Sequence, residues 1–251
     1  MSAVLDTDAQ RLGFVAAGKT HVGLVRAENE DHILARTDDR LWAVADGMGG
    51  HVRGAWASDT VCRALATVPV GRGLGDDCEA IADALADANE EIRVASQQAG
   101  SAIGTTVVVL LIDGGRMACL WAGDSRLYRL RNGVLRRLMR DHSQVEELVE
   151  SGVITDREAR VHPLGNVVTR AVGAVPGLAI DVVEQDVESG DMYLLCSDGL
   201  NKCLEDQEIG DLLGRYDPRA ASEALIGLTL ERGAPDNVSV VVVQAVAESA
   251  C

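Results

Sequence analysis

Four aspartates stand next to short apolar runs of the sequence, at points where buried strands would begin or end. Asp46 follows residues 41–45, Asp124 follows 117–123, Asp198 follows 192–197 and Asp236 precedes 238–243. A carboxylate beside a buried strand is costly to desolvate unless a cation or a hydrogen-bond donor compensates it. An aspartate before Gly or Ser is also a common turn former, so each one alone could be an ordinary turn residue. Together the four predict a site for divalent metal ions.

The ligands available at such a site indicate which ions and which chemistry it would serve. Aspartate oxygens, backbone carbonyls and water suit Mg²⁺ or Mn²⁺. Gly47 and Gly199 directly follow two of the aspartates, as is required where a backbone carbonyl approaches a metal closely. Two neighbouring ions could hold a bridging water as hydroxide and neutralise the phosphoryl oxygens during in-line attack. No protein nucleophile is then needed, and the sequence has neither a Gly-x-Ser-x-Gly elbow nor a Walker-type loop.

One arginine, Arg26, comes five residues before Asp31 in the segment 23–31. Its planar guanidinium could bind two oxygens of a phosphate group at once. It could also be a member of a surface ion pair with the acids nearby. The residues alone leave both interpretations open.

Five short apolar runs, rich in Val, Leu and Ala, are predicted to be the strands that position these acids. They span residues 41–45, 105–112, 117–122, 192–196 and 238–243. Turn residues at 113–116 and 131–133 predict hairpins over 105–122 and 127–138. Sequential hairpins favour antiparallel sheets over a doubly wound parallel sheet.

Apolar residues at helical spacing predict three helices, one from Ile81 to a stop at Gly100, one beginning near Trp56 and one over 218–232. Strands and helices come in separate blocks, which is typical of an α+β domain. Between them, residues 142–165 contain capping-box patterns that begin at Ser143 and Thr155. This segment could be a mobile flap or two ordinary surface helices.

Composition limits the partners and the location that we expect. The chain has 251 residues, of which 47% are hydrophobic, and this suits one domain. Its formal net charge of -16 would repel nucleic acid and the anionic face of a membrane. Residues 1–12 lack the basic start and apolar run of a signal peptide, and no apolar run is long enough to span a membrane. We therefore expect a cytoplasmic protein with neither a nucleic-acid nor a membrane partner.

Eight motifs follow one another along nearly the whole chain. They begin at Arg26, Ala45, Gly104, Gly123, Asp141, Thr169, Ser197 and Asp236. In type and order they resemble the motifs of the metal-dependent type 2C (PPM) serine/threonine protein phosphatases, specifically the compact bacterial members. The resemblance implies a four-layer αββα sandwich, in which two antiparallel β-sheets are flanked by antiparallel helices. It implies a single catalytic domain over 1–251, with a core of about 12–247 and a flap of about 142–165.

The same resemblance implies roles for the candidate site residues. The direct ligands of two Mn²⁺ or Mg²⁺ ions would be Asp46, Asp198, Asp236 and the carbonyl of Gly47. Glu30 and Asp31 would hold metal-bound waters, and Asp124 with Asp198 would bind a third, weaker ion. Arg26 would clamp the phosphate, so that Arg26 and Asp31 are predicted to take part in catalysis.

Two positions depart from the family's pattern. Met48 stands where animal relatives have a histidine proposed as general acid, and His51 is the candidate that could replace it. As an alternative, His51 could be an ordinary loop histidine. Ala55 stands where many bacterial relatives have a glutamate, which removes a supporting contact but no metal ligand.

The activity that we predict is hydrolysis of phosphoserine and phosphothreonine on proteins, opposing a bacterial serine/threonine kinase. A non-catalytic relative that only binds phosphorylated or kinase partners is an alternative, although such a relative is expected to have lost ligands. A hydrolase of the same shape acting on a small phosphorylated metabolite is another. The motifs concern only the phosphate and the metals, and do not separate it from the first.

Overall fold

The computed structural model describes residues 12–49 and 52–248. Within these ranges the chain forms eleven strands and seven helices. The strands are β1 Leu12–His21, β2 Asp31–Arg36, β3 Leu41–Met48, β4 Gly104–Thr105, β5 Val107–Asp113, β6 Arg116–Ala122, β7 Arg126–Arg131, β8 Val134–Arg137, β9 Asp181–Asp186, β10 Met192–Cys196 and β11 Val238–Ala247. The helices are α1 Val52–Thr67, α2 Leu74–Ala99, α3 Gln144–Glu150, α4 Asp156–Ala159, α5 Asp198–Asn201, α6 Asp206–Arg215 and α7 Pro218–Glu231.

The strands form two sheets, and every pairing between neighbouring strands is antiparallel. One sheet has the order β1-β11-β10-β7-β8, and the other has the order β2-β3-β5-β6-β9 with β4 paired to β3. Helices α1 and α2 pack on the second sheet, and α6 and α7 pack on the first. The predicted four-layer αββα sandwich is therefore confirmed.

Three apolar layers fill the sandwich. They explain why the sequences of the central strands are apolar without interruption. In β3, Leu41 and Ala43 face α1 and α2, whereas Trp42 and Val44 face the other sheet. Both faces of the strand are thus covered, so its residues are apolar on both. Strand β10 is equally buried, because Leu195 faces the inter-sheet layer and Leu194 faces α6 and α7.

The structure corrects two of the predicted strands. The run 105–112 was predicted as one strand, but it is divided into β4 and β5 at Thr106. The side-chain hydroxyl of Thr106 accepts a hydrogen bond from the Asp46 amide at 3.1 Å. In an unbroken strand pairing, a backbone carbonyl would accept this hydrogen bond. Strand β3 also continues to Met48, so Asp46 lies inside the strand and does not follow it.

The predicted turns and the predicted end of α2 are confirmed, whereas α1 and α2 begin earlier than predicted, at Val52 and Leu74. Gly114 and Gly115 connect β5 to β6 with φ of 54° and 81°, as a tight antiparallel hairpin requires. Gly100 ends α2 in the left-handed conformation. The segment 142–165 contains the two short helices α3 and α4, and Ser143 caps α3 by accepting the Glu146 amide. Within the described ranges, no helix is long and apolar enough to cross a membrane.

Candidate metal centre

The candidate acids come from both sheets and meet at one end of the sandwich. Asp31 begins β2 and lies opposite Asp46 of β3 in the second sheet. Asp198 comes two residues after the end of β10, and Asp236 comes two residues before β11, so both lie at strands of the first sheet. Burial, followed by the charges of Asp31, Asp198, Asp124 and Asp236, raises the pKa of Asp46 well above its ordinary value. These five carboxylates interact electrostatically, and we call them the acidic group. Its members are Asp31, Asp46, Asp124, Asp198 and Asp236.

Asp31 is joined to the opposite sheet by Ser197, the residue that precedes Asp198. The Ser197 hydroxyl donates to Asp31 Oδ2 at 2.8 Å and accepts the Ser239 amide at 2.9 Å. Asp31 is 3% exposed and Ser197 is fully buried. This hydrogen bond fixes one oxygen of Asp31 and directs the carboxylate towards the gap between the sheets.

Asp46 and Gly47 are held by backbone contacts on both sides. The carbonyl of Asp46 accepts the Thr106 amide at 2.8 Å and the Thr105 hydroxyl at 2.9 Å. A Cβ atom at Gly47 would lie 2.1 Å from the Gly54 carbonyl oxygen and 2.6 Å from that of Glu30. Only glycine fits at this crossing, where α1 and the loop before β2 approach β3.

Asn237 fastens the loop that carries Arg26 and Glu30. Its side-chain oxygen accepts the Glu30 amide at 2.8 Å, and its side-chain nitrogen donates to the carbonyls of Val22 and Glu28, each at 2.9 Å. Asn237 is 5% exposed. The β1–β2 loop is therefore attached to the start of β11, directly beside Asp236.

Two cations contact the acids of the first sheet. Arg26 binds Asp236 through both ends of its guanidinium, with Nε to Oδ1 at 2.9 Å and Nη2 to Oδ2 at 3.1 Å. Lys202 Nζ lies 2.5 Å from Asp198 Oδ2 and 3.2 Å from Asp236 Oδ2. Burial lowers the pKa of Lys202, but attraction to Asp198 and Asp236 outweighs it and the net shift is upward.

Asp124 lines a cleft that also contains Asp198. The cleft has a volume of about 990 Å³, and its lining includes Asp124, Asp198 and Lys202 together with residues of α3, α4 and the segment after them. Burial, followed by repulsion from Asp198, raises the pKa of Asp124 to about 8. The predicted flap segment 142–165 therefore borders the acidic group.

The acidic group fits divalent cations by its chemistry. Burial is the largest cause that raises the pKa of Asp31, to about 7, and nearby carboxylates add to it. Asp31 Oδ1 and Asp198 Oδ1 are buried and make no hydrogen bond. Buried carboxylate oxygens with this surplus of negative charge are the environment that a hard divalent cation neutralises.

The positions of the side chains differ from those of a finished ligand shell. Within residues 12–49 and 52–248, no three His, Cys, Asp or Glu side chains are arranged, as they stand, to hold one metal ion. Lys202 and Arg26 contact carboxylate oxygens of Asp198 and Asp236, two of the acids that would hold such an ion. These two cations would therefore compete with an incoming ion.

The structure brings most of the predicted site residues together, and it shows partners of the acids for which the sequence predicted no such role. Those brought together are Arg26, Glu30, Asp31, Asp46, Gly47, Asp124, Asp198 and Asp236. His51 lies outside the described residues, and its catalytic role stays a prediction. Lys202, Ser197 and Thr106 were missed as partners of the acids, because a lysine four residues after an aspartate and a hydroxyl beside a strand are common in any sequence.

A family model for protein phosphatase 2C matches residues 18–228, which is most of the chain. The chain belongs to the protein phosphatase 2C family. It is 37% identical over 241 residues to the serine/threonine protein phosphatase PstP of Mycobacterium tuberculosis, a match that covers 92% of this chain and 45% of PstP. The chain thus spans about half the length of that relative. It is also 33% identical to the protein phosphatase PhpP of Streptococcus pneumoniae, covering 89% of this chain and 94% of PhpP.

Solved structures of this family have the same fold. PppA, described as a key regulatory component of T6SS in Pseudomonas aeruginosa, superposes with a TM-score of 0.87 at 44% identity, covering 93% of this chain and 98% of PppA. The catalytic domain of PstP in complex with two manganese ions superposes with a TM-score of 0.85 at 36% identity, covering 94% of this chain and 100% of that domain.

Proposed function

We propose that this chain is a metal-dependent protein serine/threonine phosphatase. The observation that carries the proposal is the convergence of five buried or half-buried carboxylates from both sheets beside Arg26, in a member of the protein phosphatase 2C family. The activity named for PstP and PhpP supports it. We also propose that residues 1–251 form a single catalytic domain, which stays a prediction, as does a cytoplasmic location.

Metal ions would be held by Asp46, Asp198, Asp236 and the carbonyl of Gly47. When bound, two ions would activate water for attack on phosphorus and neutralise the phosphoryl oxygens. The two manganese ions of the PstP catalytic domain support this number. A third ion at Asp124 and Asp198, and the use of Mg²⁺ in place of Mn²⁺, are further parts of the proposal that rest on the acidic donor set alone.

Asp31 and Glu30 would orient water in the centre. Asp31 Oδ2 is fixed by the hydrogen bond from Ser197. Asp31 Oδ1 is buried and makes no hydrogen bond. A carboxylate fixed in this way can accept a hydrogen bond from water and hold it in line with phosphorus. Glu30 is placed for the same task by the bond between its amide and Asn237.

Arg26 would bind the phosphate of the substrate. Its guanidinium is half exposed, and it already makes two parallel bonds to a carboxylate, the geometry that it would use on two phosphate oxygens. To do so, the Arg26 guanidinium has to release the Asp236 carboxylate and bind the substrate phosphate in its place. That exchange becomes favourable once metal ions neutralise Asp236.

The substrates we propose are phosphorylated proteins, and the partner is a serine/threonine kinase whose products the chain would dephosphorylate. The cleft beside Asp124 is large enough for an extended segment of a protein substrate. His51, three residues after Met48 in the sequence, is proposed as the acid that protonates the leaving hydroxyl.

The test is release of phosphate from a phosphothreonine peptide by purified protein, with Mn²⁺ and with excess chelator. We expect activity only with Mn²⁺, and a loss of at least about a hundredfold in Asp198→Asn, which removes a charged ligand at nearly constant volume. Peptide binding without turnover by the wild-type protein with Mn²⁺ would show that the chain only recognises phosphorylated partners. A small phosphorylated metabolite hydrolysed in preference to peptides would contradict the proposed substrate class.

A further inference from the structure

Lysine is rare in this chain, and one of its two lysines lies inside the acidic group. The two are Lys19 and Lys202, among 23 lysines and arginines in total. Lys19 is exposed on β1. Lys202 follows α5 by one residue, and 27% of its side chain is exposed.

The position of Lys202 is fixed by a single turn of chain. Asp198 begins α5, and Lys202 comes four residues later, so the two side chains lie on the same face of the turn. The Lys202 amide also donates to the Asp198 carbonyl at 2.9 Å. The ammonium reaches across the turn to Asp236, at the start of β11, and thus joins the two acids that belong to the first sheet.

The two carboxylates that Lys202 contacts are among those that would hold a metal ion. Lys202 contacts Oδ2 of both Asp198 and Asp236, while Arg26 contacts both oxygens of Asp236. An ammonium and a divalent cation have the same preference for carboxylate oxygen, and they repel each other at short range. They would therefore compete for the same two carboxylates.

We propose that Lys202 is a positioning residue that acts as the internal counter-cation of the metal centre and sets its affinity for divalent ions. This inference rests on the proposed metal centre. Before an ion binds, the ammonium holds Asp198 and Asp236 together and offsets their repulsion. When an ion binds, the ammonium withdraws into the adjoining cleft.

The cleft offers acceptors for the displaced ammonium. Asn201, Glu205 and Asp206 line it together with Lys202. The side-chain oxygen of Asn201 is buried and makes no hydrogen bond. Lysine suits such an exchange better than arginine, because its single ammonium on a flexible stem leaves a carboxylate more readily than a bidentate guanidinium does.

This competition predicts that removing the charge of Lys202 changes two quantities in opposite directions: the stability of the metal-free protein and its affinity for Mn²⁺. Replacing Lys202 by an uncharged residue should destabilise the metal-free protein, because Asp198 and Asp236 then repel each other without compensation. The same replacement should tighten the binding of Mn²⁺. A lysine that only supported the fold would show the first effect and would leave metal affinity unchanged or weaker.

The experiment measures Mn²⁺ binding by calorimetry, and unfolding in urea, on chelator-treated and dialysed protein. The variants are Lys202→Gln, Lys202→Arg and the control Lys19→Gln, which removes the other lysine from an exposed strand. We expect Lys202→Gln to bind Mn²⁺ roughly tenfold more tightly than the wild type and to unfold at lower urea without metal. Lys202→Arg should bind Mn²⁺ no more tightly than the wild type, and Lys19→Gln should match the wild type in both measurements.

Equal or weaker Mn²⁺ binding by Lys202→Gln, with the wild type binding normally, would overturn the inference and leave the metal centre intact. Absence of Mn²⁺ binding by the wild type would instead contradict the metal centre, and with it this inference. If Lys202→Gln is unfolded after chelation, Lys202→Arg carries the test, and tighter Mn²⁺ binding by Lys202→Arg than by the wild type would overturn the inference.

Discussion

Neutral side chains, rather than charged ones, position the acids of the second sheet. Ser197 holds Asp31, Thr106 accepts the amide of Asp46, and Asn237 holds the loop that carries Glu30. A hydroxyl or an amide can fix a carboxylate without neutralising it, which leaves the negative charge available to a cation. The cations Arg26 and Lys202 contact only the acids of the first sheet, within the part of the chain that the structure describes.

Gly199 of α5 lies very close to Asn237, the residue before β11, and this contact allows a prediction for a single substitution. A Cβ atom at Gly199 would lie 1.9 Å from the Asn237 carbonyl oxygen, so that Gly199→Ala would force Asp198 away from Asp236. We expect a loss of about 3 kcal/mol in the free energy of unfolding, together with weaker Mn²⁺ binding.

The matched control is Gly227→Ala in the middle of α7, where a Cβ atom would meet nothing within 4 Å. It should be neutral or should stabilise the protein by up to about 1 kcal/mol. Both variants are compared by unfolding in urea. Equal stability of the two variants would show that the contact between α5 and β11 is not as tight as described.

The sequence was sufficient to find the acids of the site, but not the residues that hold them. Asp46, Asp198 and Asp236 adjoin apolar strands, and a charge in such a position needs an explanation. Lys202 is four residues from Asp198, a spacing common on any helix surface, and nothing in the sequence shows that Asp236 reaches it. Contacts between residues far apart in the chain depend on how the two sheets align.

At the scale of elements, a buried ion pair fastens the first sheet at the start of β10, whereas the candidate metal centre lies beyond the end of this strand. Asp191, which is 1% exposed and precedes β10, accepts from Arg131 Nε at 2.6 Å, from the Glu188 amide at 2.9 Å and from the Tyr193 hydroxyl at 3.0 Å. Burial raises the pKa of Asp191, but hydrogen bonds from Arg131, Glu188 and Tyr193 outweigh it and lower the pKa overall.

We expect Asp191→Ala to lower the free energy of unfolding by about 3–5 kcal/mol, because Arg131 and the Tyr193 hydroxyl lose their buried partner. The control is Glu188→Ala, which removes the exposed partner of the same arginine and should cost at most about 1 kcal/mol. Phosphatase activity per folded molecule should stay unchanged in both. A similar cost for the two variants, measured by thermal or urea unfolding, would contradict the assignment of Asp191 as the structural anchor.

Elements with a strong periodic signal were predictable, whereas breaks within them were not. The helix that ends at Gly100 and the turn at Gly114 and Gly115 follow from local chemistry. The division of one apolar run into β4 and β5 does not, because it arises from a hydroxyl that replaces a carbonyl in the ladder. Apolarity alone cannot distinguish these two hydrogen-bond partners.

At the scale of the whole molecule, the acids of two sheets share one end of the sandwich, and this makes stability depend on pH. Burial and mutual repulsion raise the pKa of Asp31 to about 7 and that of Asp124 to about 8. A carboxyl whose pKa is raised on folding contributes stability below its unfolded value, and the contribution is lost as pH rises through the folded value. Metal-free protein should therefore become less stable as the pH rises.

We expect the urea midpoint of chelator-treated protein to fall between about pH 5 and pH 8. Added Mn²⁺ should remove the fall or reverse it, because the ion binds the deprotonated acids of the folded state. Asp31→Asn should show a smaller fall than the wild type. A midpoint that is constant or rises over this range without metal would show that the acids do not repel one another as described.

Anomalous X-ray scattering from crystals loaded with Mn²⁺ tests the central claim, the metal centre between the sheets, most directly. We expect two strong peaks at the end of the sandwich, at about 2 Å from oxygens of Asp46, Asp198 and Asp236, with the Lys202 ammonium no longer between Asp198 and Asp236. Crystals with no peak among these acids, or with Mn²⁺ bound only elsewhere on the surface, would contradict the metal centre and the hydrolytic mechanism that depends on it.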